Sequence, residues 1–405
     1  MGAERRPRLL VLASTYPRWA DDHEPGFVHE LARRLVRRFE VVVLTSSCPG
    51  AQACEFRDGV RIVRYRYAPR RLESLVYGGG ITSHLRKSPW KWLLVPGFIA
   101  SMMWSVRRLV RDFRPDIIHA HWIVPQGLAI ALLSALDGTL PPVVVTSHGA
   151  DLFTLRGWPF NVLKRYAVRR AAAVTVVSSV MCAEVARLGV SQERIAVVPM
   201  GVDLVGRFTP DAMTPRSRDR ILFVGRPVAK KGVRHLIDAM AAVVLARPRA
   251  RLVVAGFGPE LPALRDRVQA LGLSTHVDFL GPVPQDALPR LYREAALFVA
   301  PFVEAEGGDQ EGLGLVVVEA LGCGAPVIVG DVPAVGDVLV EGGGWRVSAG
   351  DTRALAGAIV ALLDDEPRAR IMADTGREAA LARFSWDAVA EKYGDLLKRV
   401  ARVPS

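Results

Sequence analysis

Residues 301–329 read PFVEAEGGDQEGLGLVVVEALGCGAPVIV, and between Leu313 and Val329 the one charged residue is Glu319. Leu315, Val316, Val317, Val318, Ala320 and Leu321 surround it with apolar side chains on every side of a helical wheel, the pattern of a helix buried nearly all round. A carboxylate in that place is costly unless something hydrogen-bonds to it. No Lys or Arg lies within a turn, and a ligand bearing hydroxyls is a suitable partner. Gly312 and Gly314 bracket the helix start, where free N–H groups and the positive dipole end favour an anion. Lacking side chains, they admit a phosphate close to the backbone. Glu311 precedes the helix. Helical spacing at about 1.5 Å per residue would separate it from Glu319 by about 12 Å, one carboxylate for each end of a ligand. A buried helix with an acidic first turn and no ligand is the plainer alternative.

This Glu-x7-Glu run within EGLGLVVVEALGCGAPVI resembles the retaining glycosyltransferases of family four. Those enzymes have the α/β GT-B architecture, two Rossmann-like domains facing across a cleft. The resemblance implies that Glu319 holds the nucleotide ribose and that Glu311 contacts the donor sugar. It assigns the amides of Gly312, Leu313, Gly314 and Leu315 to the sugar and the distal phosphate.

Composition bounds the rest. The chain has 405 residues, half of them hydrophobic, ample for two domains with separate cores. The formal charge of +12 is uneven: residues 1–200 carry 28 Lys+Arg against 15 Asp+Glu, and residues 201–405 carry 25 against 26. A basic N-terminal half suits nucleic acid, an anionic membrane surface or a phosphorylated acceptor, and an Arg-rich genome composition explains it equally well. Cys48, Cys54, Cys182 and Cys323 show no metal-ligand spacing and read as reduced thiols of a cytoplasmic protein. The start MGAERRPRLLVLAS has too short an apolar run for a signal peptide. Trp92–Val106 is 15 residues long, short for a membrane span, and Ile117–Leu136 is interrupted by His119, His121, Pro125, Gln126 and Gly127.

Arg8–Ser14 reads as a buried parallel strand, followed by a helix over about 26–38 and a strand over 40–45. No Gly-x-Gly-x-x-Gly follows the first strand, which leaves a dinucleotide site little support. Family members carry a paired-glycine loop before this helix. Here the run is Glu24, Pro25, Gly26, Phe27, and Gly26 alone matches, so its amide is the implied contact to donor phosphates or acceptor. Arg57–Tyr67 reads as one further strand. Residues 87–114 combine Trp90, Trp92, Leu93, Phe98, Met102 and Trp104 with Lys87, Lys91, Arg107, Arg108, Arg111 and Arg114. An interfacial helix on an anionic leaflet has this composition, and so does a helix docked on the sheet with a solvated basic end.

Residues 115–122 read as a strand followed by a loop with His119, His121 and Trp122, and His148 and Asp151 lie just past a strand at 143–146, where open α/β sheets place ligands. A metal reading of the three histidines lacks a completing Cys or Glu. The resemblance places His148 at the donor sugar and His121 and Asp151 on the acceptor side, with His119 structural. Met200–Asp219, rich in Pro, Asp and Arg, reads as the domain boundary.

The second domain opens with a strand at 220–224 running into Gly225, Arg226 and then Lys231. Two cations at a strand-to-helix junction suit a departing nucleoside diphosphate, and the resemblance assigns them that role. Gly256 and Gly258 form only Gly-x-Gly, a weak signal that the resemblance places near the nucleotide base. Asp309 lies in an acidic loop that reads as solvated. The expected domains are 1–203, an acceptor-binding Rossmann-like domain; 204–384, a nucleotide-sugar-binding one; and 385–405, a C-terminal helix crossing back to the first.

The expected activity is transfer of a sugar from a nucleoside diphosphate sugar to an acceptor hydroxyl with retention of configuration, in polysaccharide or glycolipid precursor assembly. No cofactor or metal is expected, no protein nucleophile is assigned, and the acceptor is lipid-linked or a saccharide. The expected location is cytoplasmic, with peripheral contact at an anionic inner membrane face and no nucleic acid. Alternatives are a sugar-nucleotide epimerase or a phosphorylase on the same fold, or a non-catalytic basic protein with a relic nucleotide cleft.

Overall fold

The computed structural model describes residues 5–401 except 20, 21, 23–25, 79, 139 and 156. Glu24 and Pro25 of the glycine-poor run therefore lie outside the described residues. Two compact units divide the chain, Met1–Met200 with Val389–Ser405, and Gly201–Ala388. The divisions fall at 200/201 and 388/389 rather than 203/204 and 384/385. Val202 N–H donates to Phe384 O at 2.8 Å, which keeps both segments in the second unit.

Among the described residues the first unit has eight strands: β1 Arg8–Leu12, β2 Glu40–Ser46, β3 Cys54–Arg57, β4 Val60–Tyr65, β5 Ile117–His121, β6 Val143–Ser147, β7 Ala173–Val176 and β8 Ile195–Val197. They lie in the order β3-β4-β2-β1-β5-β6-β7-β8, parallel throughout except for β3 against β4. The central strands are buried on both faces, as continuous apolar runs such as Leu9–Leu12 and Val41–Leu44 require. The expected single strand over 57–67 is instead a hairpin turning at Asp58 and Gly59, both at positive φ. Asp-Gly is a hairpin signal.

Helix Phe27–Leu35 packs Val28, Leu31, Ala32 and Leu35 inward. A polar brace fixes its start: Tyr16 and His29 Nδ1 share a 2.6 Å hydrogen bond, and His29 Nε2 lies 2.8 Å from Asp58.

The apolar run in residues 89–113 is longer than the 15 residues read from sequence, and its length and composition alone would let it cross a membrane. Its helical part, Leu94–Phe113, buries Leu94, Phe98, Met102, Val106, Leu109 and Phe113, as a helix docked on a sheet does.

Six parallel strands form the second unit: β9 Arg220–Val224, β10 Arg251–Ala255, β11 Val277–Gly281, β12 Leu297–Ala300, β13 Val327–Asp331 and β14 Trp345–Ser348, in the order β11-β10-β9-β12-β13-β14. The turns leaving β9 and β10 cross so closely that a Cβ on Gly256 would lie 1.9 Å from Gly225 O, and one on Gly258 would lie 2.4 Å from Pro227 O. Backbone packing by itself demands glycine at both positions. Helix Leu315–Gly322 follows β12 and buries Val317 to Gly322.

Arg216, in the stretch read from sequence as irregular boundary, anchors this unit. Its Nη1 donates to the carbonyls of Tyr292 and Ala295, and its Nη2 to those of Cys323 and Gly324. One guanidinium thereby satisfies carbonyls at two helix ends, which the helices cannot satisfy themselves.

Candidate functional site

In the second unit the helix begins at Leu315, after Gly314 at φ +76°, a conformation that glycine adopts without strain. Glu311 therefore stands in the turn before the helix, and the helical spacing that would give about 12 Å does not apply. Its Oε1 accepts from Gly314 N–H at 3.3 Å, and its Oε2 lies 2.6 Å from Lys231 Nζ. Burial pushes the Glu311 carboxyl up, but the Lys231 ammonium and Gly314 N–H outweigh it and hold the group below the usual range. Lys231 also lies over the Phe302 ring at 4.8 Å.

Lys230 pairs with Asp309 at 2.9 Å and donates to Gln310 O at 3.3 Å, tying down the acidic loop. Arg226 is exposed and makes no ion pair among the described residues. The unit thus brings Lys231, Glu311 and the Gly312–Leu315 amides together at one helix start, with Glu319 within that same helix.

Glu319 is buried, and its partner is a protein group that sequence reading missed. Tyr292 Oη donates to Glu319 Oε2 at 2.9 Å. A fully buried tyrosine needs a partner for its hydroxyl, and this was the available signal. Burial pushes Glu319 up to about 7; the Tyr292 bond, then Arg207 and Lys231, pull the other way. At neutral pH the group is poised between charged and neutral forms.

In the first unit, β5 and β6 are parallel neighbours with His121 opposite Thr146, so their carboxyl ends carry His121 and His148 to the same place. His121 Nδ1 and His148 Nε2 are 2.9 Å apart, and the rings stack at 5.2 Å. Phe27 lies 4.9 Å and Trp122 5.2 Å from the His148 ring. Burial drives His148 and His119 down to about 3, and His121 well below its usual value. All three are neutral at physiological pH, so this cluster offers hydrogen bonds rather than charge. His148 Nδ1 and His121 Nε2 are buried with no hydrogen-bond partner among the described residues.

His119 is tied to Thr146 at 2.7 Å and packs on Tyr393 at 5.2 Å. Asp151, expected to line the acceptor side, is buried with both oxygens engaged: Oδ2 accepts from Ile123 N–H at 2.6 Å and Oδ1 from Ser147 Oγ at 2.8 Å. It braces the turn after Trp122, a residue at φ +75°, and that is a holding role. Gln126, oriented with its oxygen toward Ser14 N–H (2.8 Å) and its nitrogen toward His121 O (3.1 Å), ties the same turn to β1. Gly26 stands at the N-terminus of helix Phe27–Leu35 and accepts from Glu30 N–H. Among the described residues no group of three or more His, Cys, Asp or Glu is arranged to hold a metal ion.

Comparison with known proteins places these units. The profile described as Glycosyltransferase Family 4 matches residues 27–205, and that described as Glycosyl transferases group 1 matches residues 211–379. A GDP-mannose-dependent alpha-(1-6)-phosphatidylinositol monomannoside mannosyltransferase of Mycobacterium tuberculosis is 31% identical over 96% of this chain and 98% of its own. A glycogen synthase of the same organism is 27% identical over 95% and 92%. Among solved structures, sucrose-phosphate synthase from Thermosynechococcus elongatus superposes with a TM-score of 0.73 at 23% identity, over 98% of this chain and 99% of its own. Anabaena HepE in complex with UDP-glucose does so with 0.68 at 18%, over 97% and 99%.

The raised Glu319 carboxyl has a consequence for the ligand-free protein. Its folded value lies above the ordinary 4.5, so its favourable contribution is full below about pH 4.5 and is lost as pH rises to about 7. Glu319→Gln keeps the shape and removes this loss. Its unfolding free energy should exceed that of the wild type by about 2–3 kcal/mol at pH 8 and match it near pH 4.5. Urea unfolding at the two pH values measures the difference, and equal curves at pH 8 would contradict the assignment.

Proposed function

The chain belongs to glycosyltransferase family four and is a glycosyltransferase; from that premise we propose that it transfers a hexosyl group from a nucleoside diphosphate sugar to an acceptor hydroxyl, with retention of configuration and without a metal. The observation that carries this reading is the joining of Lys231, Glu311 and a helix N-terminus at one place, with buried Glu319 in that helix. Bond cleavage leaves negative charge on the diphosphate. Lys231, Arg226 and the amides of Gly314 and Leu315 would stabilise that charge. The 2.6 Å Lys231–Glu311 contact holds the ammonium in place before a ligand arrives. Glu319 would accept from the ribose hydroxyls and Glu311 from the sugar hydroxyls. Gly256 and Gly258 would border the base. His148, neutral and with Nδ1 unpartnered among the described residues, would serve the sugar as a hydrogen-bonding group, with Gly26 and His121 supporting its surroundings.

The test uses GDP-mannose and UDP-glucose, each with and without EDTA. One of them binds equally well in both conditions. Glu319→Ala weakens that binding by about 10–100-fold, as loss of hydrogen bonds to a charged group does. Lys231→Ala slows donor turnover by about 100-fold or more. Slow donor hydrolysis followed by NMR gives the alpha anomer of the sugar first. Strict dependence on a divalent metal, or the beta anomer first, would overturn the mechanism, and release of an epimerised sugar would point to the epimerase.

A second observation bears on the acceptor and the location. Trp90, Trp92, Leu93 and Trp104 are 49, 48, 82 and 66% exposed, and Arg107, Arg108 and Arg111 follow on the exposed side of the same helix. Exposed tryptophans beside arginines suit the interface of an anionic leaflet. A cytoplasmic enzyme touching the inner membrane face, with a lipid-linked acceptor, accounts for them. In flotation with phosphatidylglycerol vesicles, the wild type should float and a Trp90→Ser, Trp92→Ser, Trp104→Ser variant should stay at the bottom. Equal flotation of the two would contradict it.

A further inference from the structure

Tyr292 lies on helix Leu288–Glu294, fully buried, and the function outlined above does not use it. Its hydroxyl donates to Glu319 Oε2. Its ring is fixed edge-on by Phe298, with centroids 5.4 Å apart, and by Phe208 at 6.1 Å. Its backbone is fixed as well. Arg216 joins the Tyr292 and Ala295 carbonyls to those of Cys323 and Gly324, so the segments carrying Tyr292 and Glu319 are fastened together. Glu319 Oε1 accepts no hydrogen bond among the described residues. The phenol thus occupies one carboxylate oxygen and leaves the other available.

We propose that Tyr292 is a positioning residue for nucleotide-sugar binding, holding Glu319 with Oε1 free for the ribose and favouring the ionised carboxylate that the ribose hydroxyls need. This rests on the ribose reading of Glu319. A ribose diol brings two O–H donors. An ionised carboxylate accepts both, whereas a protonated one turns an acceptor into a donor. The nucleotide sugar therefore selects the ionised form, and its affinity falls about tenfold per pH unit below the Glu319 pKa.

The groups around Glu319 bear this out. Tyr292 faces it from the preceding helix, and Arg207 and Lys231 act on it from loops. Cys323 follows its helix directly, and Arg293, Arg216 and Arg377 act on Cys323. Arg377 itself donates to Gly322 O at 3.2 Å. Of these, Tyr292 alone is hydrogen-bonded to the carboxylate among the described residues. A donor to the charged form favours it, so removing the hydroxyl raises the pH at which binding is half-lost.

Calorimetric titration of GDP-mannose and UDP-glucose over pH 5.5–8.5 tests this, because their diphosphodiesters do not titrate in that range. The wild-type Kd should be flat at the alkaline end and rise below a break near neutrality. In Tyr292→Phe, which keeps the ring packed between Phe208 and Phe298, the break moves up by about one unit and Kd at pH 7 rises about fivefold, with the gap narrowing toward pH 8.5. Turnover at saturating donor and pH 8.5 stays close to wild type. Glu319→Gln binds weakly at every pH and shows no break. A break that vanishes in Glu319→Gln but stays put in Tyr292→Phe overturns the positioning role alone. If neither nucleotide sugar binds the wild type, or if Glu319→Gln keeps the wild-type break, the ribose reading falls and this proposal falls with it.

Discussion

A carboxylate on an apolar helix has to be satisfied by something, and in the second unit the surrounding packing follows from how that is done. Glu319 is enclosed by Val317, Val318, Ala320 and Leu321, all buried, and half of its need is met by the Tyr292 hydroxyl. For that bond to persist, two helices must keep their register. Arg216 holds them by four backbone carbonyls, and Phe208 and Phe298 hold the ring. An ionised carboxylate with one oxygen unpaired is destabilising in a free protein. A binding site tolerates that cost because the ligand removes it, and stability and function are commonly traded in this way.

The neighbouring turn solves a different electrostatic problem. Lys231 and Glu311 are both mostly buried and neutralise one another across 2.6 Å. Each would be costly alone. Together they fix a cation beside a helix start, an arrangement suited to negative charge. The first unit works without charge. His121 and His148 are kept neutral by burial, and the turn that carries Trp122 is braced by Asp151 and Gln126. Neutral imidazoles among aromatic rings offer hydrogen bonds without charge.

Much of this was legible from local patterns. Continuous apolar runs gave the parallel strands, because a strand buried on both faces leaves no polar positions. The lone Glu319 in an apolar helix marked a buried carboxylate in need of a partner. Long-range partners were not legible. Tyr292 precedes Glu319 by 27 residues, and its hydroxyl finds the carboxylate only once their two helices pack together. Arg216 looked like solvated boundary because its four acceptors are main-chain carbonyls, which carry no sequence signal. Asp151 lies just past a strand end, and the resemblance placed it on the acceptor side. The backbone N–H of Ile123 and the Ser147 hydroxyl claim it first. Helical arithmetic from Glu311 to Glu319 failed because Gly314 at positive φ delays the helix to Leu315. The Asp58-Gly59 pair is a hairpin signal that the reading of 57–67 as one strand passed over.

The most direct measurement is a crystal structure of the chain with its nucleotide sugar, GDP-mannose or UDP-glucose. The ribose diol should lie on Glu319 Oε1 with the Tyr292 bond intact, and the diphosphate should lie against Lys231 and the amides of Gly314 and Leu315. A nucleotide bound elsewhere, with Glu319 still facing only Tyr292, would contradict the central claim.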